Sequence, residues 1–113
     1  MNTIKFGVPD SLLKSVVGSS DIPCTDEGEA MALACGAWLA GKEPVVYMQN
    51  SGLGNCVDII TSLYKPYDIP LPAMILGIRH RPKHHEFMGK ITRELLKLLE
   101  YDRSDVIIIE EGA

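Results

Sequence analysis

Asp26-Glu27-Gly28-Glu29-Ala30-Met31-Ala32-Leu33-Ala34-Cys35-Gly36 joins a strand-like stretch, residues 21–25, to a run of small apolar residues. Asp26 with Glu29 three residues on is an Asp-x-x-Glu variant of the capping box, and the pattern predicts a helix over residues 26–39. Nothing from Ala30 to Ala40 is charged, and apolar residues cover every face of that helix. A helix apolar all round is a buried one. Glu27 then stands in its first turn, beside the end of a strand. In α/β sheets ligands bind at the C-terminal ends of strands. The helix dipole also favours a first-turn glutamate with no chemical role. Position alone therefore leaves Glu27 between a structural acid and a site acid.

Upstream, residues 4–8 form a short strand closed by Pro9. Asp10 or Ser11 can cap a following helix that carries Leu12, Leu13, Val16 and Val17 and ends at Gly18-Ser19-Ser20. Residues 21–25 are a second short strand. Downstream, Gly41 fits a helix C-terminal cap. Residues 44–48 are β-branched and aromatic, like a buried parallel strand. A helix over residues 55–64 carries Val57, Ile60 and Leu63. Residues 65–72 are a loop with three prolines, 73–78 a buried strand and 79–85 a basic loop. A helix over 89–100 puts Ile91, Leu95, Leu98 and Leu99 on one face, and 106–109 is the last strand. Strands alternating with helices predict one α/β domain over residues 1–113, a three-layer α/β/α fold around a mainly parallel sheet with helices on both faces. Right-handed crossovers gather the loops at 7–11, 25–28, 49–55 and 79–85 on one edge.

With 113 residues the chain is long enough for one domain that buries roughly two thirds of its unfolded surface. A net charge of −4 gives no general drive toward nucleic acid or an anionic membrane. Cys24, Cys35 and Cys56 are odd in number and lack Cys-x-x-Cys spacing, so they read as reduced thiols of a cytoplasmic protein. The start, Met1-Asn2-Thr3-Ile4-Lys5, lacks the apolar core of a signal peptide. The longest uncharged apolar run is too short to span a bilayer.

Ser51-Gly52-Leu53-Gly54-Asn55 follows a strand and opens a helix, as a phosphate-binding turn does. The dinucleotide fingerprint needs a third glycine where this chain has Val57, and no Gly-Lys-Ser/Thr follows for a P-loop. A tight glycine turn whose amides bond backbone is one reading. The crowding of Gln49, Asn50, Ser51 and Asn55 at one strand end favours a site. His80 and His84 lie four apart, but Pro82 interrupts them and Glu86 is the only carboxylate nearby, so no metal site is expected in this chain.

The run Pro44-Val45-Val46-Tyr47-Met48-Gln49-Asn50-Ser51-Gly52-Leu53-Gly54-Asn55 resembles the signature of the sulfopyruvate and phosphonopyruvate decarboxylases, enzymes that depend on thiamine diphosphate. Gly7-Val8-Pro9-Asp10-Ser11-Leu12-Leu13 is similar to the family's first motif. Glu27-Gly28-Glu29-Ala30 and Gly36 are similar to its glutamate-bearing segment, and Met88-Gly89 with Ile91-Thr92 to its last helix start. The chain departs in carrying Asp26 where the family usually has Asn. It also starts almost at the first strand, and it is more basic after Ile78.

The resemblance implies the pyrimidine-binding fold and the pyrimidine-binding part of such an enzyme. Glu27 is then the catalytic acid, its carboxyl group sharing a proton with a ring nitrogen of the cofactor's aminopyrimidine. Asn50, Ser51, Gly52, Leu53 and Asn55 are its expected cofactor-binding neighbours. Pro9, Asp10, Arg79 and Arg81 are the expected contacts of a small anionic 2-oxo acid, whose sulfonate or phosphonate suits an arginine cluster. A solvated basic loop is the other reading of residues 79–85. The family's diphosphate half carries Gly-Asp-Gly, which this chain lacks. The cofactor's diphosphate and Mg2+ would then belong to a diphosphate-binding partner chain in a hetero-oligomer. A carbon–carbon-joining synthase subunit and a non-catalytic assembly subunit stay open beside the decarboxylase.

Overall fold

The computed structural model describes residues 2–112; Met1 and Ala113, the ends of the expected domain, lie outside the described residues. Five strands, β1 Thr3–Gly7, β2 Ile22–Pro23, β3 Glu43–Gln49, β4 Ala73–Ile78 and β5 Val106–Glu110, form one sheet in the order β2-β1-β3-β4-β5. Every neighbouring pair is parallel. The helices are α1 Glu27–Leu39, α2 Val57–Ile59, which continues as a π turn over Ile60–Tyr64, and α3 Glu86–Leu98. The fold is the expected α/β type.

Side chains alternate across a strand. One set, Phe6, Val46, Met48, Met74, Leu76 and Ile78, packs with Ala30, Met31 and Ala34 of α1, Ile60 and Tyr64 of the π turn and Leu96 of α3 in a single core. All three helices therefore lie on the same face of the sheet, where helices on both faces were expected. The strand order explains this. The steps from β2 to β3, β3 to β4 and β4 to β5 all run in one direction, and right-handed crossovers then fall on one side. Only the step from β1 to β2 runs the other way. The second face is consequently covered by residues 8–20, with Leu13 fully buried and Leu12 and Leu13 lying over Gly77. Burying Leu13 contributes about 1.5–3 kcal/mol to holding this segment down.

The helix expected after Asp10 is only a 3-10 turn, Ser11–Leu13, capped by Asp10 through Leu12 N–H at 3.1 Å. Beyond it, Lys5 Nζ donates to Val16 O and pairs with Asp21 at 3.4 Å, while Gly18 N–H donates to Asp21 at 2.8 Å. These bonds draw the chain onto the sheet and end the helix. The predicted second strand keeps two residues. In α1 Asp26 caps as expected, accepting from Gly28 N–H at 2.6 Å and Glu29 N–H at 3.4 Å, while Glu29 accepts from Thr25 N–H at 3.0 Å, one residue before the cap, instead of from Asp26 itself. Its burial is one-sided. On the outer side Leu33 is 42% and Leu39 71% exposed. No helix among the described residues is long and apolar enough to cross a membrane.

The glycine turn does not open an α-helix directly. Asn50–Cys56 is a 3-10 helix, in which residues three apart eclipse. Asn50, Leu53 and Cys56 accordingly point into the core, and Gly52 and Asn55 share a different side.

Candidate functional site

The half-buried Glu27 side chain, at the start of α1, lies across the Cα of Gly52. A Cβ on Gly52 would fall 2.3 Å from Glu27 Cγ and 2.8 Å from Oε2. Asn55 Nδ2 donates to Glu27 Oε1 at 2.8 Å. No side-chain hydrogen bond reaches Oε2 among the described residues. Asp26, the second acid of the pair, is engaged in capping α1. Nearby, the buried Cys56 thiol is pushed up to about 12 by burial first and then by the charges of Glu27 and Asp26. It is a neutral group at physiological pH, with no thiolate chemistry to offer.

A second polar cluster occupies the same edge. Arg79, following β4, donates from Nε to Gln49 at 3.1 Å, from Nη1 to Glu111 at 3.0 Å, and from Nη2 to Asp10 at 3.1 Å and Ser11 Oγ at 2.7 Å. The bonds to Asp10 first and then to Glu111 hold its proton more firmly than usual. Gln49 in turn donates to Ser51 Oγ at 2.7 Å. Glu111 accepts the backbone N–H groups of His80 and Arg81, each at 3.0 Å, and lies below the usual carboxylate range chiefly through the His80 N–H. Glu110 takes Arg93 at 2.8 Å and the His80 ring at 2.6 Å, and these, Arg93 first, lower it to about 2.

No protein-family model matches the chain. Sulfopyruvate decarboxylase subunit alpha of Methanocaldococcus jannaschii is 49% identical to it over 86 residues, covering 71% of this chain and 49% of the relative. The same subunit of Methanothermobacter thermautotrophicus is 41% identical over 85 residues, with 70% and 50% covered. Phosphonopyruvate decarboxylase of Streptomyces viridochromogenes is 40% identical over 114 aligned residues, with 90% of this chain and 28% of the relative covered. The chain belongs to the sulfopyruvate and phosphonopyruvate decarboxylase family. It spans about half the length of the sulfopyruvate decarboxylase relatives it matches.

Set against the family motifs, the structure divides the expected site residues into three groups. Glu27, Gly52 and Asn55 converge. Asp10, Arg79 and Ser51 join the second cluster, the last through Gln49. Pro9 lies with Asp10, Ser11, Lys14 and Val17 around an open depression of about 430 Å³. Arg81 is largely exposed, 3.8 Å from Glu111. The third group turns inward. Leu53 is fully buried in the core. Asn50 is fully buried too, donating to Thr92 Oγ1 at 2.9 Å and Arg79 O at 3.3 Å and accepting from Arg79 N–H at 3.1 Å. The side chains of Asn50 and Leu53 fasten the turn from beneath.

Sequence reading missed Glu110 and Glu111, and it named Thr92 only as part of a helix-start motif, not as the partner of Asn50. It credited the basic loop with no carboxylate companion but Glu86, whereas Glu110 and Glu111 are its partners. The signal lay in the strand ends. Parallel pairing sets Ile78 beside Glu110, so the basic residues after β4 meet the acidic residues at the end of β5. Among the described residues no three His, Cys, Asp or Glu side chains are grouped to hold a metal ion.

Proposed function

We propose that this chain is the pyrimidine-binding unit of a two-chain, thiamine diphosphate-dependent, cytoplasmic decarboxylase acting on a small anionic 2-oxo acid of the sulfopyruvate or phosphonopyruvate type. The observation that carries the reading is the half-engaged carboxylate of Glu27. One oxygen is held by a neutral amide, the other has no side-chain partner, and the side chain lies against a glycine at the mouth of a helix. An aminopyrimidine ring needs an acid of this kind beside a ring nitrogen, and close backbone approach suits a flat ring. Bound thiamine diphosphate supplies the carbon that adds to the 2-oxo acid and takes up the electrons as carbon dioxide leaves. Glu27 holds and returns a proton at Oε2. Gly52 keeps the approach clear, with Ser51 and Asn55 beside it. The Asp10–Arg79 pair, with Pro9 at its lip, walls the substrate side, and the exposed guanidinium of Arg81 meets the sulfonate or phosphonate.

The name "subunit alpha" carried by the relatives implies another subunit in their enzymes. For this chain the same arrangement is supported by the outer side of α1, where Leu33 and Leu39 are exposed apolar surface of the kind a subunit contact covers. Titration calorimetry with thiamine diphosphate and Mg2+ tests the reading. The chain by itself should bind weakly and turn nothing over, and addition of a diphosphate-binding chain should restore tight, magnesium-dependent binding. Tight binding and turnover by the single chain would overturn it.

A further inference from the structure

A glutamate side chain has three rotatable bonds, and at the first position of a helix nothing in the backbone chooses among its rotamers. Here two residues of the neighbouring turn do. Gly52 leaves a slot that any Cβ would fill, since that atom would stand 2.3 Å from Glu27 Cγ. Asn55 closes the slot by donating Nδ2 to Oε1 at 2.8 Å. The pair is three residues apart in a 3-10 helix, where such residues eclipse, so one turn presents both slot and donor to the same carboxylate. The donor is a neutral amide. A lysine or arginine there would favour the ionised carboxylate throughout a cycle in which Glu27 must change its proton state.

We infer that Asn55 and Gly52 are positioning residues for Glu27, leaving Oε2 as the one carboxylate oxygen free to meet the cofactor ring, and that Asn55 acts through Glu27 rather than by touching the cofactor. This rests on the reading that Glu27 serves the aminopyrimidine. The geometry can be tested apart from that reading.

In the isotope-labelled chain, the Asn55 side-chain amide resonance should shift with pH as the Glu27 carboxylate gains its proton. The response should vanish in Glu27→Gln and in Gly52→Ala, with circular dichroism confirming the fold of each variant. In the assembled enzyme, Asn55→Ala should lower kcat by roughly ten- to a hundredfold through misplacement of the acid. KM and thiamine diphosphate affinity should stay within about twofold, because a binding contact would move those instead. An Asn55 resonance that ignores pH in the wild-type chain would overturn the slot-and-latch geometry. Cofactor affinity falling in step with kcat in Asn55→Ala would overturn the positioning role and make Asn55 a cofactor contact. If Glu27→Gln leaves turnover intact, the functional reading fails, and the pH response of Asn55 still reports the geometry.

Discussion

The Glu27 carboxylate accepts one side-chain hydrogen bond, from Asn55, whereas the Arg79 guanidinium on the same sheet edge donates four, to Gln49, Glu111, Asp10 and Ser11. The two groups carry opposite charge, and both sit where strands give way to loops. Their surroundings assign them different work. Arg79 ties together the loop after β1, the end of β3 and the residue after β5, with its donors committed to partners of this chain. A charged group saturated in this way fastens structure. Glu27 is anchored at one oxygen and open at the other, the arrangement of a group that must bind something else or exchange a proton.

The sharpest way to break the contrast is Glu27→Gln. In the assembled enzyme it should lower turnover by roughly a hundredfold or more, the scale of a lost acid–base group, while the melting temperature holds. Steady-state rates within a factor of a few of wild type would remove Glu27 from the chemistry.

Arg79→Ala should do the reverse. It leaves Asp10 without its cation and Glu111 with only the more distant Arg81, in side chains that are only 18% and 13% exposed. Urea unfolding should show a loss of about 2–3 kcal/mol, the scale of one or two charged hydrogen bonds. Activity should fall equally on a sulfonated substrate and on pyruvate. A loss confined to the charged substrate would make Arg79 a binding group after all.

A smaller effect follows from acid. The folded-state value of Glu110, about 2, lies below its ordinary 4.5. Its contribution to stability is therefore complete above about pH 4.5 and is lost as pH falls through about 2. Amide exchange at the start of the basic loop should quicken across that window, and Arg93→Gln, which removes the larger cause of the lowering, should move the onset to higher pH.

Arg81→Ala should have the least effect on the fold, within about 0.5 kcal/mol, since its pairing with Glu111 is exposed. It should still raise KM a few-fold for the charged substrate and not for pyruvate, the scale of an exposed charge contact. Equal KM for the two substrates in wild type and variant would return the loop to plain solvated surface.

These two corners also show what could be read from the sequence. The Glu27 corner is written in short-range signals. The capping box fixes where α1 starts, and the glycine turn places Gly52 and Asn55 one strand end away. The parallel pairing of the sheet followed from alternating strands and helices for a similar reason. The Arg79 corner depends on residues about 30 positions apart, brought level by parallel register, and no local pattern encodes that. The inward turn of Asn50 and Leu53 was hidden because the segment reads as the opening of an α-helix. A period of three, not 3.6, sends residues 50, 53 and 56 into the core. The expected helix after Asp10 gave way because the Lys5–Asp21 pairing, a contact between strand and loop, outweighs local helix preference.

The two edges of the sheet have different fates in a test tube. β2 is two residues long and ends in Pro23, a poor template for another strand. β5 carries Val106-Ile107-Ile108-Ile109, pairs on one side with β4, and leaves Ile107 63% exposed. A β-branched edge with free amide and carbonyl groups recruits further strands, including those of identical molecules. The chain held alone at high concentration will gather through this edge into β-rich aggregates, and Ile107→Lys will slow that loss by placing a charge where a new strand would dock.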